Sequence, residues 1–462
     1  MRLGELNIII FGTGNYYKLS KQYIDLDQVI YFVDNDPQKA GTVLDGKEIR
    51  TPEEADFEEC DYVLVLVMRY QSILKQLSEL GVKGDQIKLY PDLDDLFAVK
   101  PYIYREGRKY EVKQWVECCR EKKVMLICHE LTRNGVSVVL MHVARILKEM
   151  GYHPLMSALL KGELVEELQE NKIDYISQIN MMYGGKLFAL LVQEMDFVIV
   201  GTIGIADVVH RIAWTKIPIV WWIHESNDKD FNDFPIVVRE PIYYYAGGKR
   251  VVECFQRHYS QVSIEKMLYC IPDSQIRRKK KDDIFRIGII GLIYPRKAQD
   301  IFVAAVEKIP SEKKKTVSFE IVGKYLEPVI DLDNVLKRNP EIKYRKEMSQ
   351  KDLSDYFSGL DLLVCPSRDD PMPVVVTQAM QYGIPCIVSD QVGQSEYIVN
   401  GKNGFVFPSE DSNSLKEIIS YCIDNRNMLH HIGLESRKIY ESHFSERAMK
   451  NSLEKIVDRI KG

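Results

Sequence analysis

SRDDPMPVVVTQAMQYGIPCIVSD, residues 367–390, is the stretch whose reading decides the fold. Just upstream, DLLVCPS is a short apolar run with a polar end, the pattern of a strand buried in a parallel sheet. Pro371 and Pro373 stiffen the turn that follows, and Val374 to Tyr382 carries the apolar spacing of a short helix. Strand end, pinned loop and helix start therefore meet in one place. Free backbone N–H groups at such a helix start attract phosphate oxygens. Asp370, Met372 and Pro373 in the loop, with Val374 and Gln378 in the helix, become candidates to hold a diphosphate and whatever it carries.

This arrangement resembles the C-terminal half-domain of retaining glycosyltransferases with the GT-B fold, in particular family 4 of the group 1 type. There an acidic loop residue and another eight positions on, usually two glutamates, bind the donor sugar hydroxyls and the nucleotide ribose. The spacing is kept here, with Asp370 at the first position and Gln378 at the second. Asp370 keeps the charge on a shorter stem. Gln378 keeps an acceptor oxygen but not the charge that strengthens such bonds. GLIYPRKAQDIFVAAVEK, 291–308, resembles the family's strand, basic loop and helix, with Lys297 at the position that neutralises the donor diphosphate and Arg296 before it. Fixed cations there favour the charge that a leaving nucleoside diphosphate gains. Leu292 stands where many members have arginine, and Ala298 where glycine is common.

WWIHES resembles a strand end in the family whose histidine lies near the donor sugar, which assigns a catalytic role to His224 beside Asp370, Arg296 and Lys297. An imidazole there can donate a hydrogen bond to a sugar hydroxyl. Glu225, the alternative pair His129 and Glu130, Gly135 in the next turn and Gly393 in the loop SDQVGQSEYIVNGKNGFVF are expected near the acceptor or in the cleft. Glu396 reads as a helix-capping carboxylate. No metal is expected at the site.

Working outward, strands alternate with helical patterns, which implies an α/β chain with parallel sheets and ligands beyond the strands' carboxyl ends. The expected architecture is GT-B, two Rossmann-like lobes facing a cleft, plus a small N-terminal Rossmann-like α/β domain. Residues 1–100 form that accessory domain, 101–123 a linker, 124–275 the acceptor lobe, 283–442 the donor lobe, and 443–462 a helix packing back on the first lobe. In the accessory domain NIIIFG enters the turn GTGN, and VIYFVDND ends in Asp34 some 20 residues later. Gly12, Gly14 and Asp34 make half a dinucleotide fingerprint, but Tyr17 occupies the third glycine position. The Asp34-Asn35-Asp36 triplet mimics a metal-binding DxD, yet after a glycine turn the Rossmann reading is better.

The 462 residues, 45% hydrophobic and 28% charged, suit about three ordinary globular domains. A net charge of −5 leaves no nucleic-acid footprint. Residues 1–100 hold 11 basic and 18 acidic residues, so the head is acidic, a composition that suits docking to a protein partner or a second copy. Nine scattered cysteines lack metal-ligand spacing and argue against a disulfide framework. No apolar run reaches membrane-spanning length and the N-terminus runs straight into a strand, so a cytoplasmic protein is expected. RRKKK at 277–281 reads as a solvated run in a hinge, although lipid-linked acceptors would fit peripheral association with the inner membrane face.

The resemblance implies transfer of a sugar from a nucleotide sugar, with UDP- or GDP-sugars foremost and no further cofactor. The acceptor would be a hydroxyl of a glycan, a lipid-linked sugar or a protein, in cell-surface polysaccharide or glycoconjugate synthesis. One rival is a catalytically weak, transferase-like regulatory protein, motivated by Gln378, Leu292 and the acidic head. Another is an NAD-dependent sugar-modifying enzyme, disfavoured by Tyr17 and by the lack of Tyr-x-x-x-Lys in residues 1–100.

Overall fold

The computed structural model describes residues 6–67, 70–97, 102–177, 186–274, 282–327 and 329–461. The opening apolar runs become a sheet of β1 (Ile8–Phe11), β2 (Val29–Val33), β3 (Val43–Leu44), β4 (Lys47–Arg50), β5 (Tyr62–Val65) and β6 (Ile87–Leu89), in the order β3-β4-β2-β1-β5-β6. β1 is wholly buried and pairs in parallel on both sides, with Ile10 opposite Phe32 and Leu64. The order reverses between β1 and β5, which creates a topological switch point. The hairpin of β3 and β4 was not legible as strands, because its turn residues Asp45 and Gly46 both sit at positive φ and its edge is mostly exposed.

A second, nine-stranded sheet runs β8-β7-β11-β10-β9-β12-β13-β14-β15, from β7 (Tyr102–Arg105), β8 (Arg108–Glu111), β9 (Lys122–Glu130), β10 (Tyr152–Leu160), β11 (Asp174–Ser177), β12 (Phe197–Val200), β13 (Ile219–Ile223), β14 (Ile242–Ala246) and β15 (Ile264–Lys266). Here the expectation of a linker over 101–123 is corrected. Residues 102–111 form a hairpin, Val112–Cys118 a helix, and β7 pairs antiparallel with β11. The strand signal was weak because β7 is short, β8 is a charged edge strand, and Ile103 alone is buried on the two. Tertiary contacts hold the hairpin: Tyr104 stacks on Tyr175 at 4.9 Å, and the Trp115 indole N–H donates to Asp174 at 2.6 Å.

Contacts divide the chain into two compact units, Met1–Trp221 with Asp228–Tyr243, and Trp222–Asn227 with Tyr244–Gly462. The acidic head and the sheet from β7 to β13 thus belong to one unit, joined in part by an ion pair of 2.9 Å between Arg211 and Asp92. Residues 244–274, expected in the acceptor lobe, have their strands in the nine-stranded sheet, while contact density groups them with the second unit. They carry most of β14, β15 and the helix Lys249–His258. RRKKK at 277–281 lies outside the described residues.

The second unit also holds the sheet β18-β17-β16-β19-β20-β21, from β16 (Phe285–Ile290), β17 (Val317–Val322), β18 (Ile342–Arg345), β19 (Leu362–Cys365), β20 (Cys386–Ser389) and β21 (Phe405–Phe407). Ile287, Phe302, Phe319, Val364 and Ile387 sit in one core that fixes this sheet against its helices. The order reverses between β16 and β19, so the loops after these two strands open at the switch point. The terminal helix Glu446–Lys461 pairs Arg459 with Glu265 on β15. All nine cysteines are free.

Candidate functional site

Lys297 and Asp370 come from the two loops at the switch point of the second unit and meet as an ion pair, with side chains only 18% and 8% exposed. Burial opposes the lysine charge, but the Asp370 carboxylate lifts the Lys297 pKa above the ordinary lysine value. Arg296 stands beside them. Burial again opposes and Asp370 again favours its charge, with a net rise, while its Nε donates to the Tyr294 hydroxyl at 2.6 Å. Gly291, at φ 146, leaves its side-chain space open beside the Lys297 stem, the nearest atom lying at 3.8 Å from an added Cβ.

The basic loop is held by a residue that the sequence reading did not single out. Arg368 donates to the Pro295 carbonyl, forks onto both oxygens of Asp300 at 3.0 and 2.6 Å, and pairs with Glu410. Its own backbone N–H donates to the Arg296 carbonyl at 2.8 Å. A bidentate guanidinium fork of this kind locks both loops into one register. The signal lay in SRDD itself, where Arg368 precedes the acidic pair.

The donor-loop residues sit in a cradle of close backbone approaches. A Cβ on Gly393 would stand 1.6 Å from the Pro371 carbonyl oxygen, and one on Gly248 would stand 2.8 Å from the Met372 methyl. Gly393 therefore supports the loop, and its N–H donates to the Asp370 carbonyl at 2.9 Å. Arg250 adds an ion pair to Asp369 at 3.0 Å and donates to the Gln391 carbonyl. Gly247, Gly248 and Arg250 were not singled out from the sequence. The double glycine after an apolar strand was the available sign.

The helix Val374–Gln381 starts at Pro373, whose side chain offers no cap to the N–H groups of Val374 and Val375. The Pro373 carbonyl accepts from the Val376 N–H at 3.2 Å, from Gln394 at 2.8 Å and from the buried Tyr269 hydroxyl at 3.2 Å. Tyr269 also bonds Thr377 at 2.6 Å, and burial holds its phenol well above the usual range. Gln378 is half-buried one turn into this helix. Met372 and Val374 are likewise half-buried.

His224 follows β13, in the segment Trp222–Asn227 that belongs to the second unit. Burial pushes its imidazole down to about 4 against the opposing effect of Glu225, so the ring is neutral at pH 7. Its Nε2 is out of contact with water and has no hydrogen-bond partner among the described residues. A Cβ on Gly247 would lie 2.8 Å from Nδ1, so that glycine is what admits the ring. Glu225 turns back to accept the His224 backbone N–H at 3.0 Å. Glu396 accepts from Lys266 at 3.1 Å, an ion pair where a helix cap was expected.

The remaining expected residues gather in the first unit, beyond the carboxyl end of β9. Glu130 accepts from Thr132 at 2.8 Å, and Gly135 opens the helix Gly135–Glu149 behind an Asn134 cap. A Cβ on Gly204 would come 2.8 Å from His129 Nε2, so close packing fixes that ring.

Comparisons with known proteins agree with this arrangement. Residues 272–439 match the family model "Glycosyl transferases group 1", residues 120–239 match "Glycosyl-transferase family 4", and residues 4–88 match "C2185-like, N-terminal". The capsular polysaccharide biosynthesis glycosyltransferase CapM of Staphylococcus aureus is 26% identical over 184 residues, 39% of this chain and 47% of CapM. An Escherichia coli UDP-Gal:alpha-D-GlcNAc-diphosphoundecaprenol alpha-1,3-galactosyltransferase is 25% identical over 179 residues, 36% of this chain and 44% of that enzyme. The matches span less than half the length of these curated relatives. Anabaena HepE, solved in complex with UDP, shares the fold with a TM-score of 0.63 at 16% identity, over 73% of this chain and 100% of HepE. With glycosyltransferase models on two successive stretches and the GT-B fold across them, the chain belongs to the group 1, family 4 glycosyltransferases.

Proposed function

We propose that the protein is a retaining glycosyltransferase that moves a sugar from a UDP- or GDP-sugar to an acceptor hydroxyl in cell-surface polysaccharide or glycoconjugate synthesis. The observation that carries this reading is the buried Lys297–Asp370 pair, with Arg296 beside it, at the switch point of the second unit. Lys297 and Arg296 neutralise the donor diphosphate and the charge it gains on leaving. The first N–H groups of the helix Val374–Gln381 take the remaining phosphate oxygens. Asp370 binds sugar hydroxyls, and Gln378 accepts from the ribose.

His224, neutral at pH 7, acts through a hydrogen bond from its unpartnered ring nitrogen to the sugar and not as a cation. Among the described residues no carboxylate is placed as an evident nucleophile. The acceptor therefore attacks from the face the diphosphate leaves, within an ion-pair-like transition state. Family membership and the capsular and lipid-linked glycan relatives support the acceptor class.

The test is release of nucleoside diphosphate from a panel of UDP-, GDP-, ADP- and dTDP-sugars. Arg296→Ala is the informative variant, because Arg296 is exposed at the loop surface, whereas Lys297→Ala would strand the buried Asp370 charge. It should lower turnover about 10- to 100-fold with an unchanged melting temperature. No release from any donor by the wild-type protein, or full turnover in the variant, would overturn the reading.

A further inference from the structure

The head domain contains a second crevice that the proposed transfer reaction does not use. It encloses about 300 Å³ at the switch point between β1 and β5, and is lined by Gly12, Thr13 and Gly14 after β1, Asp34 and Lys39 after β2, and Val67 after β5. Its two glycines have different causes. Gly12 is required by the fold itself: it sits at φ 103, and a Cβ there would stand 2.6 Å from the Val67 side chain and 3.0 Å from the Leu66 carbonyl oxygen. Gly14 has no such cause. Its backbone is extended at φ −83, and a Cβ added to it would meet no atom within 4 Å. A bare backbone facing an open crevice is what close approach of a ligand needs.

The polar groups of the crevice retain bonding capacity that can be counted. Asp34 Oδ2 accepts from the Thr13 N–H at 3.0 Å, the Thr13 hydroxyl and Lys39 at 2.9 Å, while among the described residues Oδ1 accepts only from the Asp36 N–H at 3.0 Å. A carboxylate oxygen has two lone-pair directions, so Oδ1 keeps one for a hydroxyl. The Lys39 ammonium donates to Asp34 and, at 3.2 Å, to the Thr13 hydroxyl, which leaves its third N–H for an anion. Thr13 and Lys39 together hold the Asp34 carboxylate, against its burial, below the usual range, so it stays ionised.

We propose that this crevice binds a mononucleotide, with its ribose on Asp34 Oδ1 and its phosphate over Gly14 within reach of Lys39. The volume stands at the small end of ligand sites, which suits one nucleotide. The site is independent of the donor site in the second unit, so either reading can fail alone.

The test is hydrogen exchange of the full chain with 1 mM AMP, GMP, CMP or UMP, and separately with NAD. At least one mononucleotide should slow exchange in residues 11–16 and 34–39. Gly14→Val suits the extended backbone and fills the open space, so it should keep the melting temperature within about 2 °C. It should raise the concentration needed for that protection at least 10-fold, while protection of residues 291–298 by UDP or GDP stays as in the wild type. Three outcomes would overturn the proposal: no mononucleotide protects the head, protection persists unchanged in Gly14→Val, or NAD protects at lower concentration than every mononucleotide.

Discussion

Ala298 sits at φ 55, a left-handed conformation that costs a residue with a Cβ about 1–2 kcal/mol and glycine nothing. This is the position where glycine is common in related transferases, so the chain keeps the backbone of the basic loop and accepts its strain. The methyl is fully buried in the core, where it returns about 0.8 kcal/mol. Ala298→Gly relieves the strain but loses the methyl and frees the unfolded chain, so stability should change by less than about 1 kcal/mol in a denaturant titration. Gly393 is the opposite case. Gly393→Ala must displace the Pro371 carbonyl and with it Asp370, so donor affinity should fall at least 10-fold and stability by about 2–4 kcal/mol. Gln378 stands where the family resemblance implies a glutamate, and Gln378→Glu should keep or raise donor affinity measured by calorimetry. Loss of binding in a folded variant would show that the ribose lies elsewhere. The loop, the helix and the types of their residues were legible before the structure, but the supports at Gly247, Gly248 and Arg368 were not, because each acts on residues distant in sequence.

Among single elements, the hairpin of β7 and β8 shows how an edge escapes sequence reading. Its alternation is masked by charge, and what holds it comes from Trp115 and from Tyr175, 60 residues on. The same contact creates a titrating cluster. Burial opposes protonation of His153, but Asp174 at 2.7 Å and the Cys119 thiol raise its pKa to about 9, with Glu121 and Arg105 also near. A histidine raised above its unfolded value near 6.5 stabilises fully below that pH, and the contribution is lost as pH climbs through 9. Thermal stability should therefore fall by on the order of 1–3 kcal/mol between pH 6.5 and 9.5, and His153→Gln should flatten that slope. An equal slope in the variant would place the titration in another group.

At the scale of the whole molecule, the residues proposed to bind donor all lie in the second unit, while the acidic head shares a unit with β7 to β13. A chain starting at residue 102 keeps the hairpin, whereas one starting at 105 would strip β7 from its pairing with β11. The 102–462 protein should bind nucleotide sugar within about threefold of the full chain. It should melt earlier, because it loses the Arg211–Asp92 pair and the head's cover over its neighbours. Donor binding abolished in a folded truncation would give the head a part in the transfer site. Local pattern alone determined the buried strands of the parallel sheets, the proline-pinned loop and helix after β19, and the spacing of Asp370 and Gln378, because apolar periodicity and turn chemistry act over a few residues. Only the tertiary structure decided that Lys297 and Asp370 pair and that the hairpin of residues 102–111 extends a sheet. Those outcomes depend on which distant surfaces exclude water from one another, and no short window of sequence records that.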